Sequence, residues 1–144
     1  MDEPAGGPPD RKWLIRVPAE PAQIPLVRRG TLAILTRECP PVDTEAAALV
    51  VTELGSNVVR HAYPQSAGIL EVEIRCDDEG ATLVVRDWGV GFGRSAHHGL
   101  GQGMVFVEAL ADDVRISHSG TTEVAARLRR QAPEAEPSPL GESS

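Results

Sequence analysis

The sequence has only two cysteines, Cys39 and Cys76, and no long run of apolar residues. Two cysteines are too few for a disulfide framework or a cysteine-based zinc site, so we interpret them as small apolar side chains in a reducing compartment. No segment approaches the roughly 18 consecutive apolar residues that a membrane span requires. The acidic, proline-rich first residues lack the apolar stretch of a signal peptide. We therefore expect a cytoplasmic protein without a membrane partner.

An excess of basic residues is also missing. The formal net charge is −7, of which residues 1–10 contribute three negative charges and residues 131–144 another three, so the middle of the chain is close to neutral. This charge pattern does not resemble a nucleic-acid-binding surface, and we expect no direct contact with nucleic acid. Both terminal segments are rich in proline and polar residues, which predicts disordered tails on either side of one domain at residues 11–130.

Between the tails, the spacing of apolar residues predicts strands and helices in a definite order. Strands are predicted at Trp13–Val17, Ile69–Cys76, Ala81–Asp87, Val114–His118 and Glu123–Leu128. Helices are predicted from Pro21 to about Cys39, from a cap at Asp43 or Thr44 to about Tyr63, and over Met104–Asp112. This order predicts an α+β fold with one mixed, mostly antiparallel sheet and helices on one face. The other face should be partly open to water or to a partner.

The second predicted helix carries a stripe of polar residues. Glu53, Asn57 and His61 are spaced four residues apart, with Arg60 beside them, so they share one helix face. Such a stripe is ordinarily a solvated face, but these residues are not the usual mixture of lysine and glutamate. Gly55 in the middle of the helix costs about 1 kcal/mol relative to alanine, which suggests that something approaches the backbone closely there.

The residues of this stripe could bind a metal ion and act on a phosphoryl group. An asparagine amide oxygen is a neutral, hard ligand of the kind that Mg²⁺ accepts. A carboxylate one turn earlier could orient or deprotonate a hydroxyl or water that attacks a phosphoryl group. A nearby arginine could bind phosphate oxygens.

Two groups of glycines follow the predicted hairpin. Asp87, Gly89 and Gly91 come directly after a strand, where the aspartate could accept a hydrogen bond from an exocyclic amine such as adenine N6. The same residues are common in ordinary turns. Gly99, Gly101 and Gly103 precede the third helix, where free backbone N–H groups could face phosphate oxygens; a flexible linker is the alternative. The pattern is neither a Rossmann nor a Walker A motif.

Taken together, four segments resemble a known superfamily. ELGSNVVRHAY (Glu53–Tyr63), RDWGVGF (Arg86–Phe92), GLGQGMVFVEALADDV (Gly99–Val114) and SGTTEV (Ser119–Val124) resemble, in order, the N, G1, G2 and final boxes of the GHKL, or Bergerat-fold, ATP-binding proteins. The resemblance extends over about residues 13–130. Within the superfamily, the sequence is most similar to the anti-sigma-factor serine kinases.

The resemblance implies a two-layer α/β sandwich that binds ATP with Mg²⁺. It implies that Glu53 is the general base, that Asn57 holds the metal and that Asp87 binds adenine N6. The other residues that it places around the nucleotide are Arg60, His61, Gly89, Gly91, Gly99, Gly101, Gly103 and Thr122. For His61, structural support of the helix is an equally good interpretation.

The implied function is a small protein-serine kinase and anti-sigma factor. It would sequester a sigma factor and phosphorylate a STAS-domain anti-anti-sigma factor, and a homodimer is compatible with this role. Only Gly93–His98 separate Phe92 from Gly99, which is a short ATP lid for this family. The short lid keeps a non-catalytic, nucleotide-gated binding module open as an alternative. A switch-type kinase acting on a stressosome-like scaffold also stays open, because GLGQGMVFVEALADD resembles the glycine spacing of that subgroup. A histidine-kinase fragment is disfavoured, because the chain has no dimerisation and phosphoacceptor helix pair.

Overall fold

The computed structural model describes residues 11–63, 67–89 and 104–132, which form five strands and three helices. The strands are β1 (Arg11–Pro18), β2 (Ile69–Asp77), β3 (Gly80–Asp87), β4 (Asp113–Ser119) and β5 (Thr121–Arg129). The helices are α1 (Ile24–Glu38), α2 (Thr44–Asn57) and α3, which covers residues 104–110. Each of these elements was predicted from the sequence, with ends that differ by one to a few residues.

The five strands form one sheet in the order β1-β2-β3-β5-β4. All four neighbouring pairs of described strands are antiparallel, so the predicted α+β class is confirmed, whereas a mixed sheet is not observed. Two of the pairs are hairpins, β2–β3 and β4–β5, which are antiparallel by construction. Helix α3 precedes β4 in the chain, and β4 occupies the edge of the sheet. The hairpin that follows places β5 between β4 and β3, antiparallel to both.

The three helices cover one face of this sheet, as predicted. Alternate residues of β2, β3 and β5 point toward the helices and join a single buried cluster with apolar residues of all three helices. Leu70 and Ile74 of β2 and Leu54 and Val58 near the end of α2 are at most 1% exposed in this cluster. The core therefore fixes the polar end of α2 against the sheet.

The helix ends follow from local sequence. Asp43 caps α2, because its Oδ1 accepts a hydrogen bond from the N–H of Ala46 at 3.0 Å. Beyond Asn57 the α-helix widens into one π-helical turn at Val58–Ala62. The predicted helix thus reaches the expected end, but its last turn is not α-helical as the sequence suggested. No helix in the described segments has the length and apolar character that crossing a membrane requires.

The other face of the sheet carries a network of ion pairs. The Arg86 guanidinium donates hydrogen bonds to Glu71, to Glu73 at 3.1 Å and to Glu123 at 2.7 Å. Arg16 pairs with Glu71 from the neighbouring edge strand. Glu71 and Glu73 are only 2% and 3% exposed. Paired charged side chains therefore cover the middle of this face. The expected exposure to water or to a partner applies only to the area around this network.

Cys39 and Cys76 form a disulfide between the end of α1 and the end of β2, with their Cα atoms 5.4 Å apart. Our interpretation of two reduced thiols was wrong, because the sequence does not reveal that a helix end and a strand end meet at this place. A crosslink between residues 37 positions apart restricts the unfolded chain, an effect typically worth about 2–4 kcal/mol.

The predicted tails lie mostly outside the described residues. Gln131, the first residue that we assigned to the C-terminal tail, donates its backbone N–H to the carbonyl of Pro41 at 2.8 Å. Gln131 is therefore hydrogen-bonded to the domain, and the disordered tails stay a prediction.

Candidate functional site

Three polar side chains converge at the end of α2. The Arg60 Nη2 atom donates a hydrogen bond to Asn57 Oδ1 at 2.9 Å and lies 3.9 Å from Glu53 Oε2. The structure thus brings Glu53, Asn57 and Arg60 together, as the stripe predicted. Two oxygen atoms one helical turn apart face a single cationic group, and this is an arrangement that can also accept a metal ion.

The burial of these three side chains differs. Asn57 is fully buried, and its Nδ2 atom has no hydrogen-bond partner among the described residues. A buried, unpaired amide costs about 1–3 kcal/mol, so it indicates a place where a ligand or water completes the site. The Glu53 side chain is 31% exposed and Arg60 is 53% exposed. An incoming hydroxyl or phosphate can therefore reach both groups from solvent.

The donor set fits a magnesium ion. Mg²⁺ prefers oxygen ligands, keeps several waters and is ordinarily bound through only one or two protein groups plus phosphates. Asn57 Oδ1 is such an oxygen, and the Glu53 carboxylate lies one helical turn before it. No cluster of three or more His, Cys, Asp or Glu side chains that could hold a metal ion occurs within the described segments.

His61 lies one residue beyond Arg60 in the π-helical turn and is half-buried. Within the described parts of the chain its side chain makes no hydrogen bond, so the geometry favours neither of the two interpretations given above.

Gly55 has a structural explanation. A Cβ atom at this position would lie 3.0 Å from Ile24 Cδ1 and 3.5 Å from Leu70 Cδ2. The close approach to the α2 backbone that the sequence suggested is therefore present, and the group that makes it is an isoleucine of α1. The glycine lets α1 and the sheet pack closely against the helix that bears the polar stripe.

Asp87 ends β3 and is 1% exposed. Its Oδ1 accepts a hydrogen bond from the N–H of Gly89 at 2.9 Å, whereas its Oδ2 is buried without a partner among the described residues. Burial raises the pKa of the Asp87 carboxyl, although the Gly89 N–H and the charge of His118 oppose this shift. A buried acceptor oxygen without a donor is the feature that an exocyclic amine would satisfy.

Thr122 and His118 continue the row that begins with Asp87. Thr122 is the register partner of Asp87 on β5, and His118 is the register partner of Thr122 on β4. The predicted proximity of Thr122 to Asp87 is therefore present in the sheet. Sequence reasoning missed His118, because a two-residue turn at Ser119–Gly120 would have paired it with Thr121, whereas the observed register pairs it with Thr122.

Gly89 is tightly enclosed by the protein itself. A Cβ atom there would lie 1.9 Å from the carbonyl oxygen of Ala62 and 2.9 Å from Tyr63 Cδ1. The end of the second helix therefore approaches the Gly89 backbone closely. The role of Gly89 in nucleotide binding stays a prediction.

The remaining predicted site residues, together with the short lid at Gly93–His98, lie outside the described segments: Gly91, Gly99, Gly101 and Gly103. The helix that they precede is described from Met104, which packs into the core with Val107. Their contacts with a nucleotide stay predictions.

The comparisons with known proteins agree with this geometry. No curated protein matches the chain significantly. Residues 17–128 match the family model of the histidine kinase-like ATPase domain, an interval that contains Glu53, Asn57, Asp87 and Thr122. This match covers more than half of the chain and supports ATP binding. The chain therefore belongs to the histidine kinase-like ATPase domain family.

Proposed function

We propose that this protein is an ATP- and Mg²⁺-dependent protein-serine kinase and anti-sigma factor, which sequesters a sigma factor and phosphorylates a STAS-domain anti-anti-sigma factor. The observation that carries the kinase part is the convergence of Glu53 and Asn57 oxygens on the Arg60 guanidinium. The choice of protein substrate and of sigma factor rests on the sequence resemblance.

In this proposal each group at the end of α2 has one task. Asn57 would hold Mg²⁺, which, when bound, supplies positive charge to the phosphate oxygens. Arg60 would turn from Asn57 toward those oxygens, because its exposed guanidinium is free to move. The Glu53 carboxylate would accept the proton of the serine hydroxyl as that oxygen attacks the γ-phosphorus, while the bond from this phosphorus to the β,γ-bridging oxygen breaks and ADP leaves.

The surface of α1 is our proposed contact for protein partners. Leu26 of α1 is 52% exposed. A cavity of about 340 Å³ lies between the start of the same helix and the end of the second, lined by Pro21, Ile24, Pro25, Ser56, Val59 and Arg60. Because Arg60 borders both this cavity and Glu53, a protein docked here would have its hydroxyl groups near the proposed base. The proposed homodimer would use a surface that leaves α1 accessible.

The direct test incubates the purified protein with ATP, Mg²⁺ and candidate STAS-domain proteins, and follows phosphoserine by mass spectrometry. Sigma factors that co-purify with the protein are identified in parallel. We expect transfer to one STAS protein and capture of one sigma factor. Capture of a phosphatase or a scaffold protein would favour the switch-type kinase, and nucleotide binding without any transfer would favour the binding module.

The matched variant for this test is Asn57→Ala. Loss of an outer-shell partner costs about 10–100-fold in metal affinity, and loss of the ligand itself is expected to cost at least as much. ATP affinity measured by calorimetry in Mg²⁺ should fall by that range, while affinity without Mg²⁺ changes little. Equal affinity of wild type and variant in Mg²⁺ would remove Asn57 from the metal site.

Replacement of Asp87 by asparagine tests the adenine site. The variant retains the size but can present a donor to adenine N6, at a cost of about 1–3 kcal/mol, or roughly 5- to 150-fold in ATP affinity. Wild type should prefer ATP to GTP, which has a carbonyl at this position. Because burial raises the pKa of Asp87, ATP binding should also weaken on acidification at a higher pH than for an ordinary aspartate.

The control for this variant is Asp113→Asn on the exposed strand β4, where the carboxylate only pairs with Arg115 on the surface. ATP affinity of this control should equal that of wild type. Equal affinity of the wild-type protein for ATP and GTP would exclude the adenine role of Asp87.

A further inference from the structure

The single tyrosine of the chain connects three separate segments. Tyr63 follows the π-helical turn, and its hydroxyl donates a hydrogen bond to the carbonyl of Ile69 at 2.8 Å. The same hydroxyl accepts a hydrogen bond from the backbone N–H of Trp88 at 2.9 Å. One phenol group thus joins the end of the second helix to the start of β2 and to the residue that follows Asp87.

Two glycines leave room for the Tyr63 ring. A Cβ atom at Gly68 would lie 2.2 Å from the ring carbons Cε1 and Cζ, and one at Gly89 would lie 2.9 Å from Cδ1. A larger residue at either position would displace the ring. The ring is therefore fitted between the segment that enters β2 and the segment that leaves β3.

This contact lies directly beside the backbone that hydrogen-bonds to Asp87. Tyr63 fixes the N–H of Trp88, and the next N–H along the chain, that of Gly89, donates to Asp87 Oδ1. With Oδ1 engaged in this way, Oδ2 is the oxygen left without a partner. The Trp88 ring has a second anchor, since the Arg16 guanidinium carbon lies 5.8 Å from its centroid.

We propose that Tyr63 is a positioning residue for adenine recognition, which acts through the Trp88 and Gly89 amides to present Asp87 Oδ2 to the exocyclic amine of the base. The inference rests on the role proposed above for Asp87. Both hydrogen bonds of the Tyr63 hydroxyl lie at exposed positions, so water can replace them when the hydroxyl is removed. Orientation of the Asp87 carboxylate then weakens, whereas the stability of the fold changes little.

Replacement of Tyr63 by phenylalanine keeps the ring and removes both hydrogen bonds. We expect ATP to bind about three- to tenfold more weakly, the range that corresponds to one ordinary hydrogen bond. Magnesium tripolyphosphate, which has no base, should bind with unchanged affinity, and the melting temperature should stay within about two degrees of wild type. The control is Thr82→Val, which removes another hydroxyl hydrogen bond, to Arg127, at the opposite end of β3 from Asp87.

Three results would contradict the proposal. Unchanged ATP affinity of Tyr63→Phe would overturn it directly. Equal losses for ATP and tripolyphosphate, with a lower melting temperature, would show a structural role only. The third result is a wild-type protein that binds tripolyphosphate but shows no preference for ATP over GTP. That result would overturn the adenine site and the proposed role of Asp87, and it is distinct from a failure of Tyr63 alone.

A second measurement does not depend on the variant folding. Because the chain contains one tyrosine, biosynthetic incorporation of 3-fluorotyrosine labels Tyr63 alone. Its ¹⁹F resonance should shift on addition of ATP with Mg²⁺ and stay in place on addition of magnesium tripolyphosphate. A resonance that responds equally to both ligands, or to neither, would contradict coupling of Tyr63 to the base.

Discussion

Replacement of Glu53 by glutamine is expected to lower phosphate transfer to the STAS-domain serine by about 10²–10⁴-fold, the usual contribution of general-base catalysis. The glutamine keeps the size of the side chain but cannot accept a proton. ATP binding should persist, because Asn57 and Asp87 are unchanged. Rapid-quench measurement of phosphoserine under single-turnover conditions separates this chemical step from nucleotide binding.

The matched control is Glu45→Gln, on the exposed first turn of the same helix. It removes one negative charge from α2 without touching the site, and should transfer phosphate at the wild-type rate. Glu53→Gln should still capture the sigma factor, since capture requires surface contacts and not proton transfer. Transfer by this variant at the wild-type rate would show that another group is the base.

Replacement of Arg86 by methionine is expected to destabilise the fold by about 3–5 kcal/mol, the cost of removing one partner from a buried ion pair. The variant leaves the Glu71 and Glu73 carboxylates, 2% and 3% exposed, without their shared cation. Urea unfolding followed by circular dichroism measures the loss. The control Arg115→Met breaks the pair between Arg115 and Asp113, in which the arginine side chain is 82% exposed. It should change stability by less than about 1 kcal/mol.

The network also predicts how stability depends on pH. Burial alone would raise the pKa of Glu73, but hydrogen bonds from Arg75 and Arg86 outweigh it and lower the pKa. A lowered pKa in the folded state means that the stabilisation is present above the pKa of an ordinary glutamate and is lost as the pH falls through the lowered value. In Arg86→Met, the free energy of unfolding should therefore fall less steeply as the pH is lowered into the acid range. An unfolding free energy within 1 kcal/mol of wild type would contradict the role of Arg86.

The elements of the fold could be predicted because each is encoded locally. Asp43 supplies an N-cap, Pro40 and Pro41 end the first helix, and alternation of apolar residues marks β2 and β3. The convergence of Glu53, Asn57 and Arg60 was also predictable, since helical spacing places them together. The disulfide and the Arg86 network were not, because both join residues that are distant in sequence and meet only in the folded chain.

The glycines show where sequence patterns mislead. Gly55 and Gly89 both lie in motifs that the resemblance assigns to nucleotide binding, and both are closely approached by groups of the protein itself, Ile24 and Ala62. The pattern correctly predicts that something approaches the backbone, but it does not say what. Tyr63 was missed as a positioning residue for a related reason, since its two partners, Ile69 and Trp88, are backbone groups that leave no trace in the sequence.

The close packing of Ile24 against Gly55 has a consequence for how homologous sequences vary. The Cδ1 methyl of Ile24 fills the space where a side chain at Gly55 would begin, so a larger residue at one position requires a smaller one at the other. In related chains, an alanine at the position of Gly55 should occur together with a shorter residue, such as valine, at the position of Ile24. Such paired variation would show that close packing is retained between the helix that bears the proposed phosphate-binding groups and the helix proposed to face protein partners. The two helices would then vary together in evolution.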